Sequence, residues 1–239
     1  MSHTFADDGS GVIFITGAPG SKWSGIAHAL SYAEPVNRSD ISEDRTYVGE
    51  VGVVHLGNYF GPGMEHGEDF DRLSRLDKED LVTELAKPFS RPGGTMIMKS
   101  HLFSRHLDHL RALFPKARML LVHRSEEECL DWWIDCGGFD ISFPDYSWYQ
   151  NLDNMRVQIA RDNSALMDFT RRHGLRFQRY DDLAVVADAL GLRFTEERAD
   201  SISALPFEKE HGFGRDTGGP AQVLRSIRRH ARSTTLAWI

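Results

Sequence analysis

Apolar residues fall in short runs, and longer helix-patterned stretches separate them. The first run, Val12-Ile13-Phe14-Ile15, predicts a strand over 11–16, and a helical stretch follows over about 22–32. Residues 34–50 are polar and carry no clear period. The run VGVVHL predicts a second strand over 51–56. Residues 57–67 hold four glycines and one proline, so they read as a loop. A helix is expected over 77–86, capped by Asp77 or a neighbour. The third apolar run, GTMIMKS, spans 94–100, and a helix over 104–113 follows.

The run RMLLVH predicts a fourth strand over 118–123. A helix over 125–134 should follow, with Ser125 as N-cap and Glu126, Glu127 and Glu128 in a first turn that favours acids. Residues 137–150 form an aromatic-rich loop, and a long helix is expected over 150–173. LRFQRY predicts a fifth strand over 175–180, with a helix over 183–190 behind it. A glycine-rich turn follows residue 208, and a basic helix over 222–232 carries Arg225, Arg228, Arg229 and Arg232.

Strands that alternate with helices imply an α/β protein of three layers, a central parallel sheet flanked by helices. No repeat or linker divides the chain. Residues 1–10 read as a flexible start and 11–239 as a single domain.

The turn after the first strand carries the most chemistry. Gly17, Ala18, Pro19, Gly20 and Ser21 precede Lys22, Trp23 and Ser24. Strand, glycine-rich turn and helix start together form a phosphate cradle, because glycines let N–H groups converge and the helix dipole favours an anion. The nucleoside-triphosphate version ends in Gly-Lys-[Ser/Thr]; here the corresponding stretch reads Lys22-Trp23-Ser24. The plainer alternative is a strand-to-helix turn with no ligand. In a parallel sheet, ligands bind beyond the carboxyl ends of the strands. Two further groups sit at such ends: Lys99-Ser100-His101 and His123-Arg124-Ser125. With the first loop they predict an anion site with a titratable histidine beside it.

Composition narrows the reading. The 239 residues are 41% hydrophobic and 26% charged, enough for a substantial core. A net charge of −7 argues against a general nucleic-acid surface. The two cysteines, Cys129 and Cys136, form neither a disulfide framework nor a C-x-x-C motif. No stretch reaches the roughly 18 apolar residues of a membrane span. The polar start lacks a signal-peptide pattern, so a cytoplasmic location is expected. No His, Cys and Asp cluster has metal spacing.

The chain resembles the cytosolic-type sulfotransferases, which use 3′-phosphoadenosine-5′-phosphosulfate (PAPS). Their 5′-phosphosulfate loop reads roughly P-K-S-G-T-T-W, and residues 17–23 lie over it with Gly20 and Trp23 identical. Lys99-Ser100-His101-Leu102 is similar to the family's K-T-H-L, which carries the catalytic base. The strand ending at Arg124 is similar to the one whose terminal arginine grips the 3′-phosphate. Tyr180-Asp181-Asp182-Leu183, with Leu190-Gly191-Leu192 after it, is similar to Y-E-D-L…F-L-G. The matches occur in family order over about 12–192. Three positions depart from the pattern. The family serine eight residues after the arginine is Trp132 here, and the loop lysine falls on Ala18 with Lys22 four residues on. The late R-K-G-x-x-G signature has its nearest counterpart around Gly212, Gly214 and Arg215.

The resemblance implies a P-loop-like, sulfotransferase-like fold and sulfuryl transfer from PAPS to a hydroxyl or amine, leaving 3′-phosphoadenosine-5′-phosphate, with no metal. His101 would take the acceptor proton, its ordinary pKa of about 6.5 being close to neutrality. Lys22 would steady the leaving phosphate with the loop N–H groups, and Lys99 would hold sulfuryl oxygens or orient the loop. Trp23 would stack on adenine, Arg124 would pair with the 3′-phosphate, and Tyr180 and Arg215 would complete the nucleotide pocket. A small-molecule or glycan acceptor would lie over Tyr59, Phe60, His66, Phe139, Tyr146 and Trp148, since aromatic faces suit sugar rings or flat apolar groups. Two other readings remain: a P-loop nucleotide or small-molecule kinase, which would need Mg²⁺ and an acidic metal ligand, and a non-catalytic nucleotide-binding protein of the same fold.

Overall fold

In the computed structural model the described residues are 6–41, 46–48, 54–56, 60, 68–135, 139, 151–180, 183–195 and 234–239. The strands are β1 (Val12–Gly17), β2 (Thr46–Val48), β3 (Val54–Leu56), β4 (Met96–Lys99), β5 (Arg118–His123), β6 (Gln178–Arg179) and β7 (Thr235–Trp238). The helices are α1 (Trp23–Leu30), α2 (Lys78–Ala86), α3 (Leu107–Leu113), α4 (Glu126–Asp135), α5 (Leu152–Arg172) and α6 (Leu183–Ala189). Two 3₁₀ segments, Glu68–Arg75 and His101–Arg105, complete the described elements.

The main sheet has the order β4-β1-β5-β7-β6. β1 runs parallel to β4, with Ile15 opposite Lys99, and parallel to β5, with Gly17 opposite Val122. The carboxyl ends of β4, β1 and β5 therefore open on one edge, as the chemistry expected of them requires.

The sheet is mixed, which corrects the expectation of a wholly parallel one. β7 lies antiparallel to both β5 and β6. It was missed because four residues at the chain end carry too short a period to read. The VGVVHL run also departs from expectation. Only 54–56 is strand, and it pairs antiparallel with β2 in a separate two-stranded ribbon. Alternating apolar residues made it look like a core strand, and pattern alone does not distinguish the two.

Side chains of successive strand residues point to opposite faces, and each face is covered by helices. Val12, Phe14, Met96, Met98, Met119 and Leu121 pack with α2, α3 and α5. Ile13, Ile15, Ile97, Leu120 and Val122 pack with α1 and α6. This is the three-layer α/β arrangement. Phe14 lies at its centre, with ring centroids 5.4 Å from Phe103 and 5.7 Å from Phe114.

Local signals account for the helix starts. Asp77 accepts from Asp80 N at 2.9 Å, as expected, and Asn151 does the same for Asn154 N at 2.9 Å. Ser125 and Glu128 form a reciprocal capping box: Glu128 N donates to Ser125 Oγ at 3.3 Å, and Ser125 N donates to Glu128 Oε2 at 3.3 Å. Residues 6–10, read as part of a flexible start, form a turn pinned by Asp8 to Lys116 at 2.8 Å. Among the described residues no helix is long and apolar enough to cross a membrane.

Candidate functional site

The 17–24 loop leaves β1 at the open edge and turns sharply. Gly20 has φ +78, and a Cβ there would lie 1.9 Å from Cys129 O, so the loop backbone rests directly on α4. Lys22 follows in the left-handed region, φ 71 and ψ 11, at the N-terminus of α1. For a long side chain this is a strained conformation, of the kind that collects at ligand clamps. Ala18 is buried with Cys129, Leu130 and Trp133 of α4, and with Met155 and Ile159 of α5. Ser21 N donates to Ala18 O at 3.0 Å, so that N–H closes the turn. Ser21 Oγ is buried and has no hydrogen-bond partner among the described residues. A buried hydroxyl of this kind inside the cradle fits an oxyanion ligand.

Two cations meet at the loop. Arg124, 7% exposed, donates Nη1 to Gly20 O at 3.1 Å. The Lys22 ammonium lies 4.1 Å from the centroid of the Trp132 ring. Burial and then the Arg124 charge push the Lys22 pKa down to about 8, with Glu128 partly opposing. Desolvated like charges held together form an anion site. Trp132, where the resemblance has serine, thus contacts the loop lysine. The Arg124 carbonyl is also held, by Asn163 Nδ2 at 2.9 Å.

His101 opens the 3₁₀ turn after β4 and is 1% exposed. Its carbonyl accepts from Thr16 Oγ1 at 3.3 Å and Ser104 Oγ at 2.7 Å. The turn is therefore tied to the carboxyl end of β1. Ser100 caps it, accepting from Leu102 N at 3.1 Å while its hydroxyl donates to Phe60 O at 2.5 Å. Burial, with a smaller part from Arg105, pushes the His101 pKa down to about 3. At neutral pH His101 is an uncharged imidazole, the form that accepts protons, but in the ligand-free chain a weak one.

Several expected ligands are placed elsewhere. Lys99 is 5% exposed and lines a small cavity with His28, Ser31, Asn37 and Asp40 on the α1 face; no residue of the 17–24 loop lines it. Desolvation pushes the Lys99 pKa down to about 8, and Asp40 opposes it. Trp23 is a core residue, 5% exposed among Ile13, Ile15, Ala27 and Leu30, and not an open adenine platform. An aromatic at the first helical position serves either role, and burial decided it. Tyr180 packs on Trp238 with centroids 4.6 Å apart, at the β6 edge of the sheet, and its hydroxyl donates to Gln178 Oε1 at 3.0 Å. Phe60 is fully buried, and its backbone anchors the end of β4. Phe139 is exposed and packs edge-on against Trp133, centroids 6.1 Å apart. Tyr59, His66, Tyr146, Trp148, Arg215 and the basic helix over 222–232 lie outside the described residues.

Sequence reasoning missed Asp162 and Asn163. The buried stripe of α5 runs Met155, Ile159, Asp162, Leu166, Phe169. The signal was present: a carboxylate on the apolar stripe of a long amphipathic helix. Comparisons of the chain with protein-family models, with curated proteins and with solved structures find no match.

Proposed function

We propose that the chain is a sulfotransferase that moves a sulfuryl group from PAPS to a hydroxyl or amine of a small-molecule or glycan acceptor. The observation that carries this reading is the pairing of Arg124 with the 17–22 loop. A guanidinium bonded to Gly20 O stands beside a lysine whose charge it disfavours. A nucleotide with phosphate at both the 5′ and 3′ positions supplies anions for both groups. The buried Ser21 hydroxyl adds a donor inside the same loop.

The donor nucleotide supplies an activated sulfuryl group when bound. The chain's own residues would do the rest. The loop and Lys22 would meet charge at the 5′ end, and Arg124 would hold the 3′-phosphate as a bidentate fork. His101 would take the acceptor proton at a ring nitrogen. Anions nearby favour imidazolium, so ligand charge would raise His101 from its depressed pKa toward a useful one. Lys99, in the α1-face cavity, would act on α1 and not on the sulfuryl oxygens.

Calorimetric titration of the full chain with 3′-phosphoadenosine-5′-phosphate, against ATP–Mg²⁺, tests the reading. The expected result is binding of the first, at least about tenfold tighter than the second, since one desolvated phosphate–arginine contact contributes roughly 1.5–3 kcal/mol. Tight ATP–Mg²⁺ binding with no response to the 3′-phosphorylated nucleotide would establish the kinase reading instead. Binding without labelled-sulfate transfer to any of a hydroxyl and amine acceptor panel would leave a non-catalytic nucleotide-binding protein.

A further inference from the structure

Two adjacent residues of α5 reach the two strand ends on which the proposed chemistry depends. Asn163, 4% exposed, holds the Arg124 carbonyl. Asp162, fully buried, faces the 3₁₀ turn after β4. Arg105 Nε lies 3.4 Å from Asp162 Oδ1, and Gln158 Nε2 donates to Oδ2 at 2.9 Å. Ser104 is a further neighbour of the carboxyl. The same short turn carries His101 at its first position and Arg105 at its last. Ser104, in contact with Asp162, also donates to the His101 carbonyl at 2.7 Å.

The burial of Asp162 has no packing explanation. Its neighbours on the α5 stripe are Ile159 and Leu166, and an apolar residue would continue that stripe. A buried ion pair is commonly no more stable than well-packed apolar residues of the same volume. What the pair adds is a fixed arrangement. The carboxyl holds Arg105, Arg105 ends the turn, and the turn is tied through the His101 carbonyl to Thr16 at the end of β1. It also compensates the Arg105 charge, which acts on His101.

We propose that Asp162 is a positioning residue for His101, acting through Arg105 and the 3₁₀ turn that carries both. The role of His101 as base rests on the sulfotransferase reading; the Asp162–Arg105–His101 coupling does not. Burial pushes the Asp162 pKa up to about 7, against the Gln158 hydrogen bond and the charges of Arg105 and Arg161. Its neighbours are thus Arg105 and Ser104 from the turn, and Gln158 and Arg161 from its own helix. The charge on Asp162 changes near neutral pH while His101 stays neutral.

The test is nitrogen-15 NMR of the full chain labelled at histidine. The sequence has 11 histidines, so the His101 ring signals are assigned by their loss in His101→Gln. In the wild type those signals should shift with a midpoint near pH 7, reporting the ionisation of Asp162. Asp162→Asn should abolish that shift. A flat His101 profile in the wild type, or the same profile in Asp162→Asn, overturns the proposal. If Asp162→Asn does not fold, Arg105→Lys tests the same coupling. It keeps the charge and removes the planar fork, so the His101 signals should move while the midpoint persists; unmoved signals overturn the proposal. Where transfer is measured, Asp162→Asn should lower kcat about tenfold or more, with nucleotide affinity within about twofold of wild type. A loss confined to nucleotide affinity also overturns it. Absent transfer with an intact NMR titration would refute the sulfotransferase reading and leave the coupling standing.

Discussion

The closest backbone approach at the site gives a prediction with a built-in control. Gly20 and Gly93 both have positive φ, +78 and +86. A Cβ at Gly93 meets nothing within 4 Å, whereas a Cβ at Gly20 meets the Cys129 carbonyl oxygen at 1.9 Å and its carbon at 2.7 Å. Alanine at either site bears the left-handed backbone cost of roughly 1–2 kcal/mol, less about 0.4–1 kcal/mol from restricting the unfolded chain. Gly93→Ala should therefore destabilise by about 1 kcal/mol. Gly20→Ala must also drive α4 back until the contact is ordinary, from 1.9 Å to 3.4 Å or more. Overpacking of this kind costs about 1–3 kcal/mol beyond the backbone term, and the obstacle is backbone, which does not swing aside. For a chain of this size the urea m-value is about 3 kcal/mol/M, so Gly20→Ala should unfold roughly 0.3–1 M earlier than Gly93→Ala. Urea unfolding followed by tryptophan fluorescence and far-ultraviolet dichroism reads both midpoints. Equal midpoints for the two variants would refute the packing of the loop on α4. Affinity for 3′-phosphoadenosine-5′-phosphate should drop in Gly20→Ala alone, because only that variant displaces the carbonyl that Arg124 grips.

Binding of the same nucleotide near pH 8 should take up about half a proton, since Lys22 with a pKa of about 8 is half charged there and an anion favours the charged form. Calorimetry in two buffers of different ionisation enthalpy measures the uptake; Lys22→Arg should abolish it, and an unchanged uptake would remove Lys22 from the site. Affinity should likewise fall above pH 8 in the wild type and stay level in Lys22→Arg. Acid should weaken the fold between about pH 6.5 and 3: His28 and His101 are both held down to about 3 by burial, so the unfolded chain binds protons that the native chain refuses. Urea midpoints across that range should fall less steeply in His28→Gln; an identical slope would contradict the burial of that ring. Cys129, whose thiol burial pushes up to about 12, should resist iodoacetamide in the native wild type and react in Gly20→Ala as α4 shifts.

The parts of the fold legible in the sequence were those written in local chemistry. β1, β4 and β5 are continuous apolar runs, because buried parallel strands face helices on both sides. Asp77 and the Ser125–Glu128 box mark helix starts through contacts only three residues long. The site's loop was legible for the same reason, since strand, glycines and Lys22 are contiguous. Partnerships set by distant residues were not legible. Nothing within TLAW says that it enters the sheet between β5 and β6. Trp23 reads equally as platform or core until Ile13, Ile15 and Leu30 surround it. The grip of Asn163 on Arg124 spans 39 residues, and no local period encodes it.

Lys99 shows how adjacency in sequence misleads at a strand end. Lys99, Ser100 and His101 read as one catalytic cluster, yet the strand ends at Lys99 and the backbone turns into a 3₁₀ segment at His101, so the alternation that would have put the two on one face stops. Lys99 shares the face of Ile97 and enters the α1 cavity with His28 and Asp40, while His101 turns into the 3₁₀ segment beneath α5. The consequence is a division of labour that a double-mutant cycle can measure. Lys99→Met should destabilise the chain, since it removes a buried cation whose charged form Asp40 favours. Adding Asp40→Asn should recover part of that loss, with a coupling of about 0.5–3 kcal/mol. Nucleotide affinity should stay within about twofold in the Lys99→Met, Asp40→Asn double variant, because no residue of the 17–24 loop lines the cavity. Zero coupling together with a large loss of nucleotide affinity would return Lys99 to the anion site and refute the separation of the two faces.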